Sequence, residues 1–285
     1  MRGVPRGRCS DARGRSPSDY LPITMRTAAI LPVKRFSHAK QRLGESVADS
    51  LRLDLARAMV GDVLSALRDC AAIERTIVVT CEESVAAAAR YLGAIVIPDA
   101  AEAGQSAAVA QGIERAAAEG FERVLCIPGD CPALDPGELE ALLSSKQDDA
   151  EGAKPGDTAR GRTGSAEPGG AGADKVVIVP DRHGTGTNGL LLTPPDAIPP
   201  SFGPGSCARH QELARAAGTS CRLERPPSLL LDIDTGEDLA ALRELVETGT
   251  RAKGACHPDS VAGEPGTGAR RTRIVLGLSV PSRAA

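Results

Sequence analysis

The residues of this sequence that could do chemistry stand in loops that follow apolar segments. The first of these loops, LPVKRFSHAKQRL at residues 31–43, brings together four cationic side chains: Lys34, Arg35, Lys40 and Arg42. Cationic side chains at a strand-to-helix loop can neutralise a bound triphosphate. A solvated basic loop is the alternative that spacing alone leaves open. The G-x-G-x-x-G turn of a dinucleotide-binding fold does not occur here, which disfavours a dehydrogenase.

Carboxylates follow two other apolar segments. Asp130 stands in the turn PGDCP, and Asp232 and Asp234 alternate along LLLDIDT at residues 229–235. A strand would place the two alternating carboxylates on one face. Hard carboxylate oxygens suit Mg²⁺, so these residues are candidate metal ligands. The simpler alternatives are that Asp130 only shapes a turn and that Asp234 or Thr235 only caps the next helix.

A third candidate region combines glycines with hydroxyl side chains. It comprises DRHGTGTNG at residues 181–189, which contains Thr187, and FGPGS at residues 202–206, which contains Gly203. We predict that Ser206 is the N-cap of a helix, whose free N–H groups would attract an anion. The pair of loops indicates a receptor for a second, small anionic ligand. Alternatively the glycines only make turns and Ser206 only caps.

Alternating apolar strands and amphipathic helices must position these loops. We expect strands at residues 28–33, 76–80, 94–97, 124–127, 175–179, 189–192, 220–223 and 229–233, and helices at 50–68, 83–91, 106–118, 136–144, 206–217 and 236–247. This pattern predicts an α/β fold with a mostly parallel sheet covered by helices on both faces. Ligands of such sheets bind outside the carboxyl ends of the strands, where the candidate residues stand.

Three segments lack the apolar residues that a folded core requires. We predict a disordered N-terminal extension at residues 1–24, a low-complexity insertion at 147–174 and a disordered C-terminal tail at 249–285. A single catalytic domain is then expected over residues 25–248, interrupted by the insertion.

Composition narrows the possible partners. The net charge is −3 and the only aromatic residues are three Phe and two Tyr, so we expect no nucleic-acid partner. The eight cysteines form no Cys-x-x-Cys pair, and no apolar run is long enough to span a bilayer. We therefore expect a cytoplasmic protein with reduced thiols and no membrane partner.

Taken in order, these motifs resemble one known family. The segments LPVKRFSHAKQRL, IPGDCPALDP, VVIVPDRHGTGTNGLLL, FGPGSCARH and LDIDTGEDL look like those of the phosphoenolpyruvate/2-phospho-L-lactate guanylyltransferases of coenzyme F-420 biosynthesis. The resemblance covers residues 25–248 apart from the insertion. One departure is Gly104-Gln105-Ser106, where related transferases often read Gly-Leu-Asn, so how the base or ribose is held stays open.

The resemblance implies a single Rossmann-like nucleotidyltransferase domain that uses GTP and Mg²⁺. It implies that Lys34 and Lys40 meet the triphosphate and act in catalysis with Asp130. Metal binding would fall on Asp130, Asp232 and Asp234, and binding of the phosphorylated acid on Thr187, Gly203 and Ser206.

The implied reaction transfers GMP from GTP to phosphoenolpyruvate or 2-phospho-L-lactate. With phosphoenolpyruvate the products would be enolpyruvoyl-2-diphospho-5'-guanosine and diphosphate, and a downstream transferase of the same pathway is a possible partner. The sequence does not choose among phosphoenolpyruvate, 2-phospho-L-lactate and 3-phosphoglycerate. A molybdenum-cofactor or sugar-phosphate nucleotidyltransferase and a non-catalytic nucleotide-binding regulatory module remain the alternatives.

Overall fold

A seven-stranded sheet forms the centre of the molecule. The computed structural model describes residues 25–38, 40–45, 47–144, 175–252, 268–278 and 280. The strands are β1 (Thr27–Val33), β2 (Arg75–Thr80), β3 (Ile95–Ile97), β4 (Arg123–Cys126), β5 (Lys175–Pro180), β6 (Thr187–Thr193) and β7 (Ser220–Leu223). The predicted N-terminal extension and insertion lie outside the described residues.

The sheet is mostly parallel, as predicted. Its strand order is β3-β2-β1-β4-β6-β5-β7. Strand β6 runs antiparallel to both of its neighbours, β4 and β5, whereas every other pair in the sheet is parallel. The carboxyl ends of β1, β2, β3 and β4 therefore meet at one edge.

Helices cover both faces of this sheet, which confirms the predicted architecture. They are α1 (Asp49–Asp69), α2 (Glu83–Tyr91), α3 (Gln105–Ala118), α4 (Pro136–Ser144), α5 (Ser206–Ala216), α6 (Gly236–Ala252) and α7 (Arg270–Val275). Alternate side chains of β1 enter opposite cores because successive strand residues point to opposite faces. Ala29 and Leu31 pack with α1, α2 and α4, whereas Ala28 and Ile30 pack with α3 and α5. None of the described helices combines the length and apolar character that crossing a membrane requires.

The predicted strand at residues 229–233 is wrong. A 3₁₀ helix at Pro227–Leu229 leads into an irregular stretch that pairs with none of the described strands. Leu229 and Ile233 are fully buried, so the apolar run reports core packing rather than a strand. The N–H of Ile233 donates to the carbonyl of Asp130 at 3.0 Å, which attaches this stretch to the loop after β4.

The predicted disordered tail is also wrong for part of its range. Helix α6 continues to Ala252, and α7 packs against α1. The buried Asp62 carboxylate on α1 accepts hydrogen bonds from the N–H groups of Arg271 and Thr272, both at 2.9 Å, and from the Thr272 hydroxyl at 2.8 Å. A Cβ at Gly61 would lie 2.8 Å from the Arg271 Cδ, so the small residue permits this close contact.

Candidate active site

A cavity of about 260 Å³ opens at the carboxyl edge of the parallel strands. It is bounded by the segments that follow β1, β3 and β4, by the start of α3 and by one face of α1. Its polar lining includes Lys34, Lys40, Asp99, Gln105, Asp130 and Asp234. The structure thus brings together the predicted lysines and two of the three predicted metal ligands at the place where such sheets bind ligands.

Lys40 joins the two carboxylates of this cavity. Its ammonium donates to Asp130 Oδ2 and, at 2.6 Å, to Asp234 Oδ1. The side chain is 9% exposed, and the backbone holds a left-handed φ of 58°. Burial opposes the charged form, but the charges of Asp130 and Asp234 outweigh it and raise the Lys40 pKa. The ammonium is therefore a fixed positive charge between two carboxylates.

Asp232 lies beside this cluster but has a different partner. The Asn188 amide donates to Asp232 Oδ1 at 3.1 Å and to the Leu229 carbonyl at 2.9 Å. Burial, followed by the negative charge of Asp130, raises the pKa of Asp232. The alternating carboxylates at 232 and 234 therefore reach the same neighbourhood without forming the one face of a strand that the sequence predicts.

One carboxylate oxygen of the cavity is free to bind a hard divalent cation. Asp130 Oδ1 is buried and has no hydrogen-bond partner among the described residues, while Oδ2 already faces a cation, the Lys40 ammonium. Within the described part of the chain, no group of three or more His, Cys, Asp or Glu is arranged to hold a metal. Mg²⁺ commonly uses one or two protein carboxylates together with substrate phosphates, so a site completed by a nucleotide matches these residues.

The four cations of the loop after β1 separate into two groups. Lys34 is exposed and lines the cavity. Burial raises the pKa of Asp234, but Lys40 lowers it strongly and the charges of Arg42 and Lys34 add to that lowering, so the net shift is downward. Arg35 instead pairs with Glu102, with Nε 2.5 Å from Oε1, on the rim near β3. Of these four cations, Lys34 and Lys40 are therefore the ones that line the cavity.

A second polar site surrounds Thr187 and Ser206. The N–H of Ser201 donates to His210 Nε2 at 2.9 Å, and His210 Nδ1 lies 3.1 Å from Thr187 Oγ1. The His210 proton is assigned to Nδ1 because Nε2 accepts, so Nδ1 donates to Thr187. The Ser206 hydroxyl lies 3.1 Å from Thr187 Oγ1, so one hydroxyl hydrogen of this pair has no acceptor among the described residues. Burial, followed by the charge of Arg209, lowers the pKa of His210 to about 4.

The loop before α5 corrects one prediction. Gly205, in the left-handed conformation at φ 71°, is the N-cap of α5, and Ser206 is the first helical residue rather than the cap. Gly203 has a φ of 110°, which a residue with a Cβ rarely adopts. The Arg209 guanidinium donates to the carbonyls of Ser201, Phe202 and Pro204. The loop conformation therefore depends on two glycines with positive φ and on the hydrogen bonds that Arg209 donates to its carbonyls.

The two sites adjoin but are distinct. Thr187, Gly203 and Ser206 are not among the described residues that line the 260 Å³ cavity. Two hydrogen bonds connect the regions: Phe202 N–H donates to Ser106 Oγ at the start of α3, at 2.8 Å, and Asn188 donates to Asp232.

Three polar residues of these sites were not predicted from the sequence: Asp99, Asn188 and His210. Asp99 follows a short apolar strand, which is the same signal that identified Asp130. His210 and Asn188 carry no such signal, because their roles depend on partners brought together from different strands and helices.

Solved structures with similar architecture define the class of fold. A nucleotide-diphospho-sugar transferase from Desulfovibrio desulfuricans superposes with a TM-score of 0.59 at 15% identity, over 89% of this chain and 94% of that one. A nucleotidyl transferase from Methanothermobacter gives a TM-score of 0.51 at 18% identity, over 78% and 97%. The chain therefore has the α/β fold of the nucleotidyltransferases.

Sequence relatives narrow this class to a family. The family model described as "Guanylyl transferase CofC like" matches residues 27–156. A phosphoenolpyruvate guanylyltransferase of Conexibacter woesei is 47% identical over 82% of this chain and 93% of its own length. A 2-phospho-L-lactate guanylyltransferase of Methanothermobacter thermautotrophicus is 32% identical over 76% and 84%. This protein belongs to the CofC-like guanylyl transferase family, and it is an enzyme of the nucleotidyltransferase class.

Proposed function

We propose that this enzyme transfers GMP from GTP to phosphoenolpyruvate, releasing diphosphate and giving enolpyruvoyl-2-diphospho-5'-guanosine, a step of coenzyme F-420 biosynthesis. The observation that carries the proposal is the Lys40–Asp130–Asp234 cluster, which lies with Lys34 in a cavity at the carboxyl edge of the sheet. The choice of phosphoenolpyruvate is supported by relatives of that name at 47% and 36% identity, whereas a relative named for 2-phospho-L-lactate is 32% identical.

In this proposal Lys34 and Lys40 bind the triphosphate of GTP. Their charges oppose the negative charge that two anionic substrates bring together. Asp130 and Asp234, with Asp232 beside them, would hold Mg²⁺. When bound, the metal would neutralise phosphate oxygens and orient the leaving diphosphate. On arrival of the metal and the nucleotide, the Lys40 ammonium would exchange its carboxylate partners for phosphate oxygens.

The chemical step needs no general base. A phosphate oxygen of the acceptor, already anionic at neutral pH, attacks the α-phosphorus of GTP and forms a new P–O bond. The bond from the α-phosphorus to the bridging oxygen of the β-phosphate breaks, and diphosphate leaves with the electron pair. Lys34 and Lys40 stabilise the charge that accumulates on the departing oxygens.

The acceptor would bind at Thr187, Gly203 and Ser206. The N–H groups of Ser206 and Cys207 already donate to the carbonyls of Gly203 and Thr185, so the anion would depend on the hydroxyl pair and on neighbouring N–H groups of the glycine loop. The unpartnered hydroxyl hydrogen of the Thr187–Ser206 pair is one such donor. Hydrogen bonds to a charged acceptor are the stronger kind, about 1.5–3 kcal/mol each.

Diphosphate release tests the proposal. The protein is incubated with GTP and Mg²⁺ and, separately, with phosphoenolpyruvate, 2-phospho-L-lactate, 3-phosphoglycerate or a sugar 1-phosphate, and diphosphate is trapped enzymatically. We expect the fastest release with phosphoenolpyruvate and none without an acceptor. Release only with the sugar phosphate, or with none of these acids, would refute the proposal.

A further inference from the structure

Asp99 lies at the opposite end of the cavity from the Lys40–Asp130–Asp234 cluster. It follows β3, whereas Asp130 follows β4, and the strand order β3-β2-β1-β4 places three strand spacings between them. At about 4.8 Å per spacing, these two strand ends are separated by about 14 Å. A nucleotide whose triphosphate lies over the loop after β1 and beside Asp130 would therefore extend its base toward Asp99.

Backbone hydrogen bonds hold Asp99 in place, and one further hydrogen bond orients its carboxylate. Asp99 is 6% exposed and lines the cavity. Its N–H donates to the Thr80 carbonyl at 3.3 Å, and its own carbonyl accepts from the Cys81 thiol at 2.7 Å. Asp99 Oδ1 accepts the N–H of Glu102 at 3.1 Å, and Arg35 holds the Glu102 side chain. Among the described residues, none donates a hydrogen bond to Oδ2.

We propose that Asp99 reads the guanine base of the nucleotide by accepting hydrogen bonds from its N1–H and its 2-amino group. The inference rests on the proposed function, because it takes GTP as the donor. An ionised carboxylate only accepts, and its two oxygens can receive two parallel donors. Guanine presents two adjacent donors on its Watson–Crick edge, whereas adenine presents its N1 lone pair beside a single amino group.

The other polar group at this end fits the same orientation of the base. Gln105, the first residue of α3, is half-buried and lines the cavity with Asp99. The N–H₂ group of its amide can donate a hydrogen bond to guanine O6, which is an acceptor. The two side chains match guanine, and the mismatch with adenine comes from Asp99, because the Gln105 amide can also turn its oxygen toward the adenine amino group.

The preference for GTP over other nucleotides follows from the hydrogen-bonding groups that each base would leave unpaired at Asp99. Inosine triphosphate lacks the 2-amino group and loses one hydrogen bond to a charged acceptor, which corresponds to an affinity about tenfold to a hundredfold lower than that of GTP. ATP places a lone pair against the carboxylate, so its affinity falls further. Xanthosine triphosphate has a carbonyl in place of the 2-amino group and is rejected by wild type for the same reason.

Equilibrium binding by calorimetry tests the assignment. GTP, inosine triphosphate, xanthosine triphosphate and ATP are each titrated into wild type and Asp99→Asn in the presence of Mg²⁺. For wild type we expect GTP to bind at least tenfold more tightly than the other three. In Asp99→Asn the amide keeps the acceptor for Glu102 but donates toward the base. GTP should therefore weaken at least tenfold, and xanthosine triphosphate should bind at least tenfold more tightly than it binds wild type.

Glu83→Gln is the control, because Glu83 is an exposed carboxylate at the start of α2 that is not among the residues lining the cavity. It should keep the wild-type ranking of the four nucleotides. Equal binding of GTP and inosine triphosphate to wild type would overturn the assignment without any variant, as would an Asp99→Asn protein that binds all four less tightly by one common factor. Tight, Asp99-dependent GTP binding with no diphosphate release from any acid would instead refute the proposed reaction and keep the assignment. Wild type that binds no GTP would refute both.

Discussion

The two ends of the proposed active site differ in the charge and exposure of their side chains. The Lys40–Asp130–Asp234 cluster consists of full charges on side chains that reach a cavity. The Thr187–Ser206–His210 group is neutral, and all three side chains are buried. Formal charges suit a triphosphate and a metal, whose charge must be opposed, whereas fixed neutral donors position a small acid without competing for the metal. Substitutions should therefore affect charge compensation at the first end and acceptor affinity at the second.

Asp130→Asn should show the largest effect. It replaces one of the two carboxylates that Lys40 joins, and whose Oδ1 is buried without a partner among the described residues, with a neutral amide. We expect turnover to fall about a hundredfold or more, because a metal ligand contributes several kcal/mol to the transition state. Diphosphate release at saturating Mg²⁺ measures this, with thermal unfolding as the check on folding. The exposed Asp196→Asn is the control, and a near-normal rate in Asp130→Asn would remove this residue from the site.

Comparing Lys40→Ala with Lys34→Ala should show that the Lys40 charge contributes to both stability and catalysis, whereas the Lys34 charge contributes only to ligand binding. Loss of Lys40 leaves two carboxylates facing each other, so we expect about a hundredfold lower kcat/KM together with a stability loss of about 1–3 kcal/mol, reduced by the partial exposure of Asp234. Lys34 is exposed, so its loss should raise the KM for GTP about tenfold and leave the Tm unchanged. Equal Tm shifts in the two variants would contradict this distinction.

His210 should make the acceptor end sensitive to acid. Its pKa is about 4 in the folded protein and 6.5 for a histidine in an unstructured peptide, so the unfolded chain binds more protons between these values and stability falls as the pH falls through that window. At pH 5 the loss relative to pH 7.5 is about 2 kcal/mol. Urea unfolding at both pH values measures it. His210→Asn should lose this component and the exposed His183→Asn should retain it, so an unchanged pH dependence in His210→Asn would exclude the buried imidazole as its source.

Ser206→Ala should give the smallest and most selective effect. Because Gly205 rather than Ser206 caps α5, the substitution removes a hydroxyl of the acceptor end without removing a helix cap. We expect the KM for phosphoenolpyruvate to rise about tenfold and the KM for GTP to stay unchanged. Separate titrations of the two substrates distinguish this from a structural role, for which both constants would move together or only the Tm would fall.

The periodic features of the fold were predictable from sequence. Apolar strands and amphipathic helices place α2 and α4 correctly and β1 to within one residue, because burial against the sheet imposes a regular spacing of apolar residues. The segment 229–233 shows the limit of this reasoning, since its apolar residues are buried without belonging to a ladder.

The charged residues of the cavity were predictable where they stand within a few residues of a strand's carboxyl end. Lys34 follows β1 directly and Asp130 lies four residues after β4, and Asp99, two residues after β3, carries the same signal. The bridge from Lys40 to both carboxylates depends on a left-handed backbone at a lysine, which no local pattern indicates. The hydrogen bonds of neutral His210 join β6 to α5. Polar contacts between residues far apart in the sequence produce no periodic sequence pattern from which they could be predicted.

The pairing of Asp62 with Thr272 has a consequence for synthesis on the ribosome. The two residues are 210 positions apart in the chain. At about 5–20 residues per second, the ribosome needs about 10–40 s to deliver this partner after Asp62 emerges. Throughout that time α1 can pack on the first strands while the Asp62 carboxylate, not yet covered by α7, remains hydrated. A nascent chain that stops before α7 would thus contain every proposed catalytic residue, yet display an unclosed groove beside Gly61.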